Sequence, residues 1–155
     1  MINIKTIHIK RHEMLQPLSR DHHYGLLLCW KIRQGFKKNI APERIKAYTD
    51  WFWENHLKQH FEAEEKYCFT VLPANHGNVK RALAEHRRIQ RLFSASTELV
   101  KNLNFIEEEL EKHIRFEERM LFNQIQEIAT DEQLQAIEAA HTEKFEDNTA
   151  DEFWR

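Results

Sequence analysis

"HFEAEEKYCF" (residues 60–69) and "HIRFEERMLF" (residues 113–122) are near copies of one another. Each has the spacing of a buried helical stripe, because positions three, four and seven apart share a helix face. Around His60 that face holds Trp53, Leu57, Glu64, Cys68 and Val71. Around His113 it holds Ile106, Leu110, Glu117, Met120 and Leu121. Both stripes therefore turn a histidine and, four residues later, a glutamate towards a core. A buried carboxylate without a partner costs several kcal/mol even after relaxation, and two facing one core also repel. The nearby cations Lys58, Lys66, Arg115 and Arg119 fall on other faces, so none offers neutralisation.

The rest of the chain supplies more helices of this kind. It has 155 residues, enough for one domain with its own core, expected to span 1–155 with the bundle core over about 15–129. Glycine and proline number three each, too few for a turn-rich β architecture, so the fold class is all-α. Residues 1–14 lack a long helical pattern and read as an extended arm. Helices are expected from Pro17 towards Gly35, from Pro42 to about Val71, from about Val79 to Val100, and over about 104–129. "KNLN" (101–104) reads as the turn before the last of these. Thr130 with Gln133 forms a capping-box signature for a short fifth helix. The tail "EDNTADEFWR" is polar and expected to fray, with Phe153 and Trp154 able to dock. Short connections between long helices predict an antiparallel up-down-up-down four-helix bundle with a short C-terminal fifth helix. The first two helices resemble the last two, which reads as an internal duplication.

Charge and composition exclude several classes. Lys plus Arg is 23 and Asp plus Glu is 25, so the formal charge of −2 gives no electrostatic case for nucleic acid. No N-terminal apolar run resembles a signal peptide, and no stretch approaches the roughly 18 apolar residues of a membrane span. The cytoplasm is the expected location. Cys29 and Cys68 sit on apolar stretches and read as buried thiols. The oligomeric state is not specified by the sequence.

Ten histidines are present, and histidine is the commonest metal ligand. His86 lies in a stripe with Val79, Leu83, Ile89 and Phe93. On the first helix the apolar residues average to a direction close to His22 and well away from His23, so His22 is the better candidate. Four neutral imidazoles and two carboxylates suit a pair of divalent ions, with Glu64 and Glu117 able to bridge them. Mixed imidazole and carboxylate ligation with open positions suits iron better than a closed structural zinc site. A metal-free polar network is the alternative, and it leaves two carboxylates without a cation.

At these residues the chain resembles the hemerythrin-like family, the HHE cation-binding domains. The likeness rests on "LSRDHHYGL", "HFEAEE", "EHRRI" and "HIRFEE", in that order, over about residues 15–128. The resemblance implies an antiparallel four-helix bundle holding two iron ions, oxo- or hydroxo-bridged, with manganese or zinc able to substitute. It implies metal ligation by His22, His60, Glu64, His86, His113 and Glu117. His22 and His60 would be terminal on one iron, His86 and His113 on the other, with both glutamates bridging. The implied function is a non-haem di-iron protein that binds or senses a small ligand such as oxygen, nitric oxide or iron. The alternative is a di-iron oxidoreductase acting on peroxide or nitric oxide, or iron storage or iron-centre repair; whether the chain is an enzyme stays open. Two departures separate it from the oxygen carriers. Gln90 stands four residues after His86, where they have a histidine, and is expected to leave an open position on the second iron. His113 is followed four residues later by Glu117, where they have aspartate five residues on. The pattern is closer to the iron-sensing and iron-centre-repair branches.

Several neighbours have quieter expected roles. Glu65 and Glu118 read as solvated or helix-pairing charges, Glu85 as a partner of His86, and His56 as a residue behind the ligands or on the surface. His8, His12, His76 and His141 fall outside the repeated pattern and read as surface residues.

Overall fold

The computed structural model describes residues 10–141 and 144–155. The expectations for residues 1–9, including the extended arm and the surface placement of His8, lie outside the described residues. Among the described residues the fold is all-helical. A short 3-10 turn (Glu13–Leu15) leads into α1 (Gln16–Lys37), with Pro17 in the first turn, where its missing N–H costs nothing. α2 (Pro42–Phe52) also starts on proline. It runs on through a π turn (Trp53–Leu57), α3 (Lys58–Ala63), a second π turn (Glu64–Cys68) and a 3-10 turn (Phe69–Val71). α4 (Gly77–Ser94) is capped by His76, whose Nδ1 accepts the Asn78 N–H. α5 (Leu99–Phe116) continues through a third π turn (Glu117–Leu121) into α6 (Phe122–Ile128). α7 (Asp131–Ala139) opens on the expected reciprocal box: Thr130 Oγ1 accepts from Gln133 N–H, and Gln133 Oε1 accepts from Thr130 N–H. Four long helical rods result, 16–37, 42–71, 77–94 and 99–128, with α7 as a short fifth.

Four expectations are corrected. The third rod ends at Ser94, not near Val100, and the break falls at 95–98. Glu98 takes a left-handed conformation (φ 47°) there, and α5 starts at Leu99. The asparagines of "KNLN" do not break the helix; the Asn102 and Asn104 amides donate to the carbonyls of Thr97 and Val100 within its first turns. Met120 is exposed, whereas Leu121 is fully buried. The π turn Glu117–Leu121 holds one more residue per turn than an α-helix, so the inward position moves from 120 to 121. The tail docks instead of fraying. Phe153 and Trp154 are buried, and Asp147 pairs with the buried Lys31, whose Nζ also donates to Tyr48 Oη at 2.9 Å.

The core forms two apolar clusters. Along α1, Leu18 belongs to one and Leu28, Cys29 and Ile32 to the other. Along 42–71, residues up to Phe61 join the second cluster, and Cys68 and Phe69 the first. In α4, Val79 and Ala82 lie in the first, and Ile89, Leu92 and Phe93 in the second. In 99–128, Leu103 to Ile114 lie in the second, and Phe116 to Ile125 in the first. α1 packs chiefly on α5, which also receives α2 and α4. In α1 and α4 the buried histidine falls between the stretches assigned to the two clusters; in the other two rods His60 and His113 directly precede Phe61 and Ile114, the last residues of the second cluster before the changeover.

Candidate metal centre

His22, His60, Glu64, His86, His113 and Glu117 are all buried, at 4 % exposure or less, and they converge on one polar layer. His23, by contrast, is exposed. Two groups of four residues each could hold a metal ion: His22, His60, Glu64 and Glu117, and Glu64, His86, His113 and Glu117. Within each group one ligand atom per residue lies within 4.8 Å of the others. Both glutamates belong to both groups, the arrangement two bridging carboxylates would have. The near-copied sequences also share a local conformation, since Glu64 and Glu117 each open a π turn. Such turns concentrate at functional sites, where the extra residue re-aims side chains.

The Nδ1 atom of each histidine faces a carboxylate, which can only accept. His22 Nδ1–H donates to Glu118 at 2.7 Å, His60 to Asp21 at 3.0 Å, His86 to Glu65 at 2.8 Å and His113 to Glu85 at 2.7 Å. These bonds run in a ring. The carboxylate on each rod holds the histidine of the next, and the fourth rod returns to the first. They fix each ring in the tautomer whose Nε2 carries the lone pair, and in each case Nε2 points at the glutamates. Glu118 is itself held by Ser19 Oγ. Phe61 stacks on His86 with ring centroids 3.7 Å apart, and Phe122 stacks on His22 at 5.1 Å.

Three sequence expectations change here. Glu65 and Glu118 are not merely solvated charges, and Glu85 serves His113 instead of His86. A signal was present: in all four rods an acid adjoins a candidate ligand, as Asp21-His22, Glu64-Glu65, Glu85-His86 and Glu117-Glu118. Spacing along one helix could not say that each acid reaches across to another. Gln90 is exposed and does not enter the layer. Beyond the layer, His56 and His141 are half-buried.

Among the described residues, the four Nε2 atoms and all four glutamate oxygens are buried without a hydrogen-bond partner. Nitrogen and oxygen approach to between 2.9 and 3.6 Å without hydrogen-bond geometry. At about 1–3 kcal/mol per unmatched group, the cost reaches on the order of 10 kcal/mol, the size of a domain's folding stability. A cation among these atoms removes that cost, so the residues fit a bound metal. Without a metal the layer draws in protons instead. Burial lowers the His60 pKa, but the charge of Glu64 and the bond to Asp21 outweigh it and raise it to about 9. His113 rises to about 9 in the same way through Glu117 and Glu85. Burial raises the Glu64 pKa, and the surrounding imidazoles, His60 foremost, hold it well below the usual carboxylate range. Outside the layer, burial pushes His56 down to about 4. Cys29 and Cys68 are buried free thiols, as expected.

Comparison with known proteins adds no relative to this geometry: no family model, no curated protein and no solved structure matches the chain.

Proposed function

We propose that the chain is a hemerythrin-like protein whose buried polar layer holds two iron ions and binds or senses a small ligand such as oxygen or nitric oxide. His22 and His60 hold one ion, His86 and His113 the other, and Glu64 and Glu117 bridge them. The carrying observation is the set of eight buried, unpartnered ligand atoms arranged as two groups that share both glutamates. The alternation of the rods between the two apolar clusters supports the antiparallel up-down-up-down arrangement. Iron bound there would supply redox chemistry and open positions for a small ligand. The chain's own residues orient and insulate. Asp21, Glu65, Glu85 and Glu118 fix the imidazole rings, while the apolar clusters on either side keep bulk water from the layer.

The test is metal content with visible spectroscopy on iron-loaded protein. Two irons per chain are expected, with charge-transfer bands that respond to azide. Glu64→Gln and Glu117→Gln should each keep the helical circular dichroism and lose the bands. Less than one tightly held iron in the parent chain, with metal content unchanged by both substitutions, would overturn the reading.

A further inference from the structure

The polar layer is enclosed, so a small ligand needs a way in: all six of its residues are at most 4 % exposed. Two cavities reach them from outside. One, of about 170 Å³, touches His86. There the Phe61 ring lies flat on the imidazole, 9° from parallel with centroids 3.7 Å apart, and seals that face. The other, of about 260 Å³, touches His60 and has Asp21, His56, His141 and Phe145 in its wall. The cover of His60 is built differently. Its Nδ1–H donates to Asp21 Oδ2 at 3.0 Å, and its Nε2 faces Glu64 Oε1 at 3.3 Å, so the same imidazole borders the cavity and the layer. His141 sits edge-on to it, ring centroids 5.9 Å apart. His56 Nε2 lies 4.0 Å from Asp21 Oδ1, too far for a hydrogen bond. Among the described residues the Nε2 atoms of His56 and His141 have no hydrogen-bond partner. Either ring can tilt without losing a bond at that nitrogen, whereas Phe61 leaves His86 only by giving up a stacked face. Phe145 props this wall: its ring stacks on Tyr24 at 4.2 Å and meets His56 edge-on at 4.8 Å.

We infer, on the reading of the layer as a metal centre, that the cavity beside Asp21 and His60 is the vestibule through which a small ligand such as azide or nitric oxide reaches that centre, and that Phe145 sets its width. Access turns on the tilt of His56 and His141 around Asp21. The ligand meets first the half of the layer held by His22 and His60. Gln90, by contrast, lines the groove that Phe61 seals.

Stopped-flow mixing of the iron-loaded full chain with azide tests the route. Phe145→Ala removes the ring with its aromatic contacts and should raise the association rate at least ~10-fold. Phe145→Leu keeps apolar bulk, guards against misfolding of the alanine variant, and should raise the rate about 3-fold. Asn55 is exposed and lines the same cavity, so Asn55→Trp narrows it and should lower the rate. All three variants should keep the helical circular dichroism and the iron content of the parent. A parent that holds no iron is a failure of the metal-centre reading and not of the route, because a second measurement needs no metal. In the metal-free chain, diethyl pyrocarbonate should modify His141 faster in Phe145→Ala than in the parent, with the exposed His23 unchanged, as read by peptide mass spectrometry. Equal azide rates in the parent and the three variants would overturn the inference and assign access to the groove beside His86. In a chain that fails to load iron, an unchanged His141 rate would overturn it alone.

Discussion

Each histidine of the polar layer is determined at both of its nitrogens. Nδ1 is tied to a carboxylate, and Nε2 is left without a partner beside Glu64 or Glu117. A partner behind a ligand matters because it sets the tautomer and the ring direction before the ion arrives. Removing such partners costs about 10–100-fold in metal affinity. Glu65 offers the cleanest trial, since it is exposed and holds His86. Glu65→Ala should lower affinity by about 10-fold with little change in folding stability, as measured by competition against a chelator. An unchanged affinity would show that His86 needs no such support.

The elements owe their placement to a few local devices. Proline opens α1 and α2, the Thr130–Gln133 box opens α7, and π turns begin at both central glutamates. Close approach of two rods depends on a glycine. A Cβ on Gly35 would meet Ile45 Cδ1 at 2.6 Å, Ile45 Cγ1 at 3.0 Å and the Phe153 ring at 3.0 Å. A Cβ on Gly25 would press only the flexible tip of Ile114. Alanine in a helix gains about 0.5–1 kcal/mol over glycine, and overpacking costs about 1–3 kcal/mol. Gly35→Ala should therefore lose roughly 1 kcal/mol in urea denaturation. Gly25→Ala should lose less. A Gly35→Ala protein more stable than its parent would mean that α1 and α2 have room to separate.

Across the whole molecule, the C-terminal segment closes one end of the apolar core. Lys31 is buried, lies 3.9 Å from the Trp154 ring centroid, and bonds Tyr48 while pairing with Asp147. Burial raises the Asp147 pKa, but the bonds from Lys31 and Tyr48 outweigh this and hold it below its ordinary 3.8. A carboxylate with a depressed folded pKa contributes stability above its unfolded pKa and loses it as pH falls through the folded one. The stability difference between the parent chain and Asp147→Asn should be full above about pH 4 and vanish on further acidification. Urea midpoints across that range would show it, and a constant difference would remove Asp147 from the linkage. No helix among the described residues is long and apolar enough to cross a membrane.

The sequence by itself determined the helical class, because scarce glycine and proline and the three-four spacing leave no other regular structure. It also determined which histidines and glutamates face inward, since each lies in an apolar stripe whose burial fixes the helix's rotation. It located the starts of the first two rods and of α7, where proline and the capping box act locally. Only the tertiary structure decided the rest. That Glu85 serves His113 and Glu118 serves His22 depends on which rods are neighbours, and spacing along one helix carries no such information. That Met120 turns outward depends on a π turn, which shifts the register by one residue without a compositional mark. That the tail docks depends on Lys31, whose buried amine is matched by Asp147 and Tyr48 only once distant parts of the chain meet.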